Sequence, residues 1–408
     1  MTDNSKKRRS RGTGCVRARP KGQSAIWEIR FSVGTDAAGR RKVVTSTFHG
    51  TFTEANKELR RRLHVVDEGG HVDPSKLTVG EYLDRWLTDW AAANLSPKSL
   101  ERYSELMRLH VKPHIGGHKL QKLQILDLTQ LYAKLLKGED EGDGLSPATV
   151  GYVHRVLHNA LQQAVLWKLI QSNPAGLAEP PRTEAKEIEI LPPAAVTAVL
   201  TALRERDIYP IVITALGTGM RRGEILALRW KDVDLTRNAM GQLRVEQSLE
   251  QTKAGGLRFK PPKTKHGRRR ISLPDYLVAE LRSHWKEQQE RRLVLGLGKM
   301  PDTGLVFGTV EDTPRKPNSL TTEWRRLVTA VKDVPAVSFH ALRHTHASQL
   351  IASGMDVLTI SRRLGHSSAM VTLNIYGHLF PDSDDRAAKA LDAAFSSAQT
   401  ENLSGLDR

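Results

Sequence analysis

The residues best suited to chemistry in this chain are arginines, histidines, a lysine and a tyrosine, gathered in short stretches of its second half. In the first, TGMRRGEILALRW, an apolar helical run over 211–216 reaches Gly217 and Gly219, and a new helix starts with Arg221. A buried guanidinium needs a partner. Glu224, three residues on and on nearly the same helical face, can hold it while leaving N–H groups to aim at a phosphate. Taken alone, that spacing is also that of an ordinary surface pair. In the second stretch, residues 258–270 carry Arg258, Lys260, Lys263, Lys265, Arg268, Arg269 and Arg270 without one acidic residue, ahead of a strand-like Ile271-Ser272-Leu273-Pro274. This reads as a hairpin with a basic tip, since cations so crowded repel one another unless a polyanion lies nearby. A lysine there can protonate a departing alkoxide, which arginine, with its higher pKa, does poorly.

The third stretch, SFHALRHTHASQL, puts His340 and Arg343 three residues apart on one helical face, two donors for a phosphate. His344 and His346 lie close by. The spacing of His340 and His344 would also suit zinc, but no acidic residue falls among them as base or third ligand, and no metal is expected. The fourth stretch, ISRRLGHSSAMVTLNIYGH, makes a small-residue turn at Gly365, His366, Ser367 and Ser368 and then a helix carrying Tyr376. By itself Tyr376 could be an ordinary half-buried aromatic.

In this order and at these intervals, TGMR, HALR, LGH and the following tyrosine resemble the tyrosine recombinases, specifically the phage-type integrases. The resemblance is strongest from about Leu191 to Phe380. It implies a catalytic set of Arg221, Lys263, His340, Arg343, His366 and Tyr376, the last as nucleophile, with Glu224 in support. Lys263 is preferred because Pro262-Lys263-Thr264 matches the family's pattern, while Lys265 remains the other candidate. The resemblance further implies site-specific cleavage and rejoining of DNA through a 3′-phosphotyrosine, serving integration and excision of a phage or other mobile element. Its expected partners are double-stranded attachment sites and three further copies of the chain, as a tetramer on DNA, with a host DNA-bending protein and an excision factor as candidate accessory factors.

Elementary chemistry suits this set. Attack on a phosphodiester builds negative charge on the non-bridging oxygens, which two arginines and histidine donors can stabilise, so neither a metal nor a nucleotide cofactor is required. Tyr376, with an ordinary pKa near 10, would be helped by local cations that favour phenolate. Two rivals stand beside this reading: a non-catalytic DNA-binding regulator on the same scaffold, and a type IB topoisomerase-like strand transferase, which would relax supercoils without exchanging flanking sequences.

The elements that must position these residues form a multidomain α+β chain. A length of 408 residues is too much for one comfortable core. The expected domains are a basic arm and arm-site-binding domain over 1–66, a helical, SAM-like core-site-binding domain over 76–174, a mostly α catalytic domain with a small β-sheet over 190–385, and a tail over 386–408. The net charge of +17 points to a polyanion. It is concentrated at the front, where residues 1–64 hold 16 Lys and Arg against 5 Asp and Glu. The first two dozen residues, with Lys6, Lys7, Arg8, Arg9, Arg17 and Arg19, read as a flexible arm that orders on phosphate; with Lys265, Arg268, Arg269 and Arg270 they are the expected DNA contacts. Trp27, Ile29, Phe31 and Val33 alternate with polar residues as in a half-buried strand, and a second strand from Lys42 to Phe48 completes a hairpin before a helix whose start, Thr51 with Glu54, has capping-box spacing. Thr78 with Glu81, Ser96-Pro97 and Ser146-Pro147 mark further helix starts. No run of about 18 apolar residues or secretory leader is present, so no membrane is expected and a cytoplasmic, nucleoid-associated protein is. The single Cys15 allows no intramolecular disulfide. In the tail, Leu391 and Phe395 make a short apolar stripe that could dock in cis or on a neighbour.

Overall fold

The computed structural model describes residues 14–18, 26–35, 39–67, 72, 74–138, 144–184, 187–236, 241–262, 264–380, 388–389 and 391–392. Two compact units divide the chain, 1–184 and 185–408.

The first unit begins with an antiparallel meander of β1 (Cys15–Ala18), β2 (Ile26–Thr35) and β3 (Arg41–His49), followed by helix α1 (Phe52–Asp67). Alternation along β2 sends Ile29 and Phe31 to the face that meets Ala55 and Leu59 of α1, a small satellite core. Thr51 and Glu54 cap α1 reciprocally, the Thr51 N–H donating to Glu54 Oε2 at 2.8 Å. The expected flexible arm is corrected at Arg17, which is exposed on β1 directly opposite Glu28. The short Val16 strand lacked a long enough run to show its period, and pairing with β2 supplies the order that local pattern did not. Lys6, Lys7, Arg8, Arg9 and Arg19 lie outside the described residues.

The rest of this unit is helical: α2 (Val79–Trp86), α3 (Ala92–Asn94), α4 (Pro97–Leu106), α5 (Lys112–Ile115), α6 (Ile125–Lys137) and α7 (Pro147–Leu166). One-turn π segments at Leu87–Ala91 and Met107–Val111 continue α2 into α3 and α4 into α5. Thr78 and Glu81 form the capping box of α2, and Ser96 and Ser146 cap α4 and α7 ahead of a first-turn proline. Their apolar stripes converge on Tyr82, Trp86, Leu128, Leu157 and Leu161, all buried.

The second unit holds α8 (Pro193–Leu203), α9 (Tyr209–Thr218), α10 (Arg222–Ile225), β4 (Val233–Asp234), β5 (Gln242–Val245), β6 (Ser248–Thr252), β7 (Gly256–Lys260), β8 (Arg269–Ser272), α11 (Asp275–Val294), α12 (Pro317–Thr329), α13 (Ala341–Ala352), α14 (Val357–Leu364) and α15 (Ala369–Tyr376). α9 is apolar on every face, so it runs through the core, packed against α11 and α13. The basic stretch is not the tip of a hairpin. β6 and β7 make the hairpin, with the turn at 253–255, and β8 joins a different sheet of order β4-β5-β8. Ile271 explains the switch: opposite Leu243 of β5 it is buried, which the end of a solvent-exposed hairpin would not allow. Of the tail stripe, Leu391 is exposed and Phe395 lies outside the described residues.

Candidate active site

Arg221 stands at the N-cap of α10, one residue past the point where α9 has ended on a left-handed Gly219 (φ 64°) and Met220. Its guanidinium donates to Glu224 Oε1 at 2.9 Å, and its backbone N–H to Glu224 Oε2 at 3.0 Å. With the Arg221 side chain still 42% exposed, nitrogens remain open to solvent or a phosphate. Glu224 is buried at 4%, and its second oxygen takes a 2.9 Å hydrogen bond from Arg269. Burial works to raise the Glu224 carboxyl, but the charges of Arg269 and Arg221 outweigh it and hold the pKa below the ordinary value.

Arg343, on the first turn of α13, is almost wholly buried, and it donates to the Gly219 carbonyl at 2.6 Å and the Leu364 carbonyl at 2.8 Å. Burial pushes its pKa down to about 9, which leaves it a cation at neutral pH. Arg221 reaches the next carbonyl, Gly365, at 3.4 Å. The two arginines are therefore stapled to the same turn between α14 and α15, and Arg343 also to the turn that carries Arg221. Gly365, left-handed at φ 68°, ends α14, and a Cβ there would come within 2.9 Å of Arg269 Nη1.

That turn presents His366, whose Nδ1 lies 2.8 Å from the Thr372 hydroxyl, so that Nε2 is not engaged by that contact. Burial, then Arg343 and Arg221, push His366 down to about 4. His340 precedes α13; its edge reaches solvent, yet protein packed around the ring, and then His344 and Arg343, push it down to about 4 as well. Both imidazoles are neutral at pH 7, a form in which one ring nitrogen of each can donate a hydrogen bond without carrying a charge.

Tyr376 ends α15 and is 1% exposed, enclosed by Ala347, Ile351, Ile360 and Leu364. Its ring lies parallel to His366, centroids 6.5 Å apart, and its hydroxyl is 2.8 Å from Nδ1 of His344. Contrary to the expectation that local cations favour phenolate, burial dominates and pushes the phenol up to about 12; Arg343 and Arg221 offset only part of it.

Arg221, Glu224, Arg343, His366 and Tyr376 are thus brought together, with His340 ring-to-ring against His344 at 4.8 Å. Lys263 lies outside the described residues, while Lys265 is exposed at the start of a short turn over 265–267 whose Gly267 is buried. Of the expected DNA contacts beside it, Arg268 and Arg270 are exposed. Arg269 is corrected: it is buried at 6%, its donors going to Glu224, the Arg363 carbonyl at 2.7 Å and the Gly267 carbonyl at 3.2 Å, so it braces the site from within. Beside His366, a cavity of about 290 Å³ is bordered by His266, Arg268, Arg362, Ser367 and Ser368 and contains no carboxylate. Sequence reasoning gave His344 no role beyond a zinc alternative and missed Thr372. The latter lies one helical turn before Tyr376, a spacing that puts both on one face of α15. His346 is structural: its Nδ1 lies 2.6 Å from the Leu216 carbonyl, and Nε2 accepts from Arg363 at 3.1 Å. Among the described residues no group of three or more His, Cys, Asp or Glu gathers as a metal site would need.

The sequence profile of the phage integrase family matches residues 190–382, which contain this whole cluster, and that of the phage integrase N-terminal SAM-like domain matches residues 78–136. The chain belongs to the phage integrase family of tyrosine recombinases. The recombinase is 27% identical over 387 residues to a XerC-like tyrosine recombinase of Caldanaerobacter subterraneus subsp. tengcongensis, covering 90% of this chain and 96% of that protein. It is 28% identical over 382 residues to an integrase of Streptomyces ambofaciens, covering 91% and 93%. In fold it is similar to the Tn1549 transposon integrase solved in complex with transposon right end DNA (TM-score 0.64, 20% identity, 78% of this chain and 99% of that one). It is also similar to the lambda integrase tetramer bound to a Holliday junction (TM-score 0.54, 15% identity, 92% and 97%). Among the described residues no helix is long and apolar enough to cross a membrane.

Proposed function

We propose that this recombinase cleaves and rejoins DNA at defined sites with Tyr376 as nucleophile, Arg221, Arg343, His340 and His366 around the scissile phosphate, and Lys263 as acid for the leaving 5′-oxygen. The observation that carries the reading is the common anchoring of Arg221 and Arg343 on the Leu364–Gly365 carbonyls, the turn that also presents His366 beside Tyr376. Such preorganised donors stabilise charge that develops in the transition state without reorganising at the moment of reaction. Attack by Oη on phosphorus gives a 3′-phosphotyrosine and a free 5′-hydroxyl. Because the phosphodiester's energy is retained in that bond, a 5′-hydroxyl of another strand reverses the step with no nucleotide cofactor. The relatives solved on DNA support double-stranded DNA as the partner. Assembly of four protomers on two attachment sites, help from a host DNA-bending protein and an excision factor, mobilisation of a phage or related element, and a cytoplasmic, nucleoid-associated location belong to the same proposal. The exposed Lys265, Arg268 and Arg270 and the carboxylate-free cavity beside His366 suit a track for the phosphate backbone.

The test is a nicked suicide substrate built from the DNA flanking the gene. Wild-type protein should form a denaturation-resistant DNA adduct and Tyr376→Phe none. An adduct of equal yield with Tyr376→Phe would move the nucleophile elsewhere.

A further inference from the structure

A nucleophile buried as Tyr376 is has to lose its proton somewhere. With the phenol at about 12, on the order of one molecule in 10⁵ carries a phenolate at pH 7. Pre-ionisation is therefore an inefficient route, and a base at the hydroxyl would be worth about 10²–10⁴ in rate. His366 is badly placed to act as that base, because its ring lies face to face with the tyrosine, 12° from parallel, and its Nδ1 is taken by Thr372. His340 stands edge-on to His344, not to the phenol. The hydroxyl's partner is His344, whose Nδ1 lies 2.8 Å from Oη, in a ring tilted 61° to the phenol.

We propose that His344 is the proton acceptor for Tyr376 during strand cleavage and the donor that returns the proton when the strand is rejoined. The inference rests on Tyr376 being the nucleophile. In cleavage the Oη–H bond breaks, its proton moves to Nδ1, the Oη–P bond forms, and the P–O5′ bond breaks with the 5′-oxygen protonated by the separate acid. In rejoining, the 5′-hydroxyl gives its proton back to the now-deprotonated acid as the P–O5′ bond forms, and the P–Oη bond breaks with the tyrosine oxygen taking its proton back from the His344 imidazolium. No other reactant is needed.

The surroundings suit both states of the ring. Around His344 are His340 at the N-cap of its helix, Arg343 from the helix itself, Tyr376 from α15, and the charge of Glu189 from the segment ahead of α8. Burial and Arg343 lower the pKa of His344, keeping it neutral at pH 7 with a lone pair free to accept, while Glu189 acts in the opposite sense and favours the imidazolium once the proton arrives. The Glu189 carboxylate is held by the Ser338 N–H at 3.2 Å, just ahead of α13. With Nδ1 as acceptor the ring proton sits on Nε2.

The test compares single-turnover cleavage of two nicked duplexes, one natural and one with sulfur replacing the 5′-bridging oxygen at the scissile position; a thiolate leaves without an acid. His344→Gln retains a polar side chain but cannot take up the proton, and should cleave both substrates about 100-fold more slowly than wild type, with DNA affinity and melting temperature unchanged. Its rate should rise about tenfold per pH unit between pH 6 and 9, whereas the wild-type rate levels off once His344 is neutral. His344→Asn repeats the comparison in case the glutamine variant fails to fold. Three results each overturn the proposal: near-wild-type cleavage by His344→Gln, rescue of that variant by the sulfur substrate, or a pH profile parallel to wild type. The Tyr376→Phe control separates the two readings, since an adduct with the phenylalanine variant removes the nucleophile assignment itself, whereas fast cleavage by His344→Gln with an inert Tyr376→Phe removes only the role of His344.

Discussion

Three consecutive arginines, Arg268, Arg269 and Arg270, look alike in sequence but are expected to behave differently when replaced. Arg269→Met removes the guanidinium that meets Glu224 at 2.9 Å, with side chains 6% and 4% exposed. Breaking a buried pair from one side typically costs about 3–5 kcal/mol, because a carboxylate is left in low dielectric without its counter-charge. Here Glu224 keeps Arg221 at 2.9 Å, which argues for the lower end, while the lost bonds to the Arg363 and Gly267 carbonyls argue against anything smaller. For a unit of this size each kcal/mol shifts Tm by about 2–4 °C, so a fall of roughly 6–12 °C is expected. Arg268→Met is the matched control: its side chain is 63% exposed and sits 3.8 Å from an exposed Glu246, a contact worth about 0–1 kcal/mol. Scanning calorimetry of the full chain should show the second unit melting early in Arg269→Met and unchanged in Arg268→Met. Titration with duplex DNA over a range of salt should show the reverse order, a shallower salt slope for Arg268→Met only. If Arg269→Met melts with the wild type and its salt slope falls as that of Arg268→Met does, the bracing role assigned to Arg269 is wrong and the residue belongs on DNA after all.

Acid should loosen the catalytic unit before it affects the carboxylates. His340, His346 and His366 are each pushed from an ordinary value near 6.5 down to about 4, so between those values the unfolded chain binds more protons than the folded one. Their contribution is complete above about pH 6.5 and is lost as pH falls toward 4, and chemical denaturation at pH 7.5 and 5 should show a lower midpoint at pH 5; equal midpoints would contradict the lowered histidine pKa values, above all those of the buried His346 and His366. Gly219→Ala is expected to lose about 2–4 kcal/mol, because an L-residue at φ 64° is strained and its Cβ would lie 2.6 Å from His346 Cδ2 and 2.8 Å from Leu364 Cδ2. Since the Gly219 carbonyl anchors Arg343, cleavage should fall more than DNA affinity does, and an alanine variant with wild-type stability and rate would show that the turn is not constrained as described.

What could be read from the sequence, and what could not, follows from how far apart the deciding groups lie. Capping boxes at Thr51 and Thr78, and serine–proline helix starts at Ser96 and Ser146, are local, with all their atoms within a few residues, and the structure has them where the spacing puts them. The fold class and the family were legible for a related reason: motif spacing in the second half carries the packing of α9, α13 and α14 implicitly. Arg269 was legible in principle. Once Ile271 is assigned to the inner face of a strand, the period of two puts Arg269 on that face as well, but the strength of the charge run concealed the alternation. His344 was not legible, since the meeting of its Nδ1 with Oη depends on the approach of α13 to α15, 32 residues apart in sequence. The same distance accounts for the misjudged phenol. The cations near Tyr376 are announced by compact motifs, whereas its apolar enclosure is scattered over Ala347, Ile351, Ile360 and Leu364, none of which signals burial of that ring on its own. Desolvation then outweighs the arginines. The folded site therefore keeps the Tyr376 phenol protonated, and in the proposed reaction the arginines that cannot ionise it at rest would act instead on the phosphate, where negative charge appears only as the bond is made.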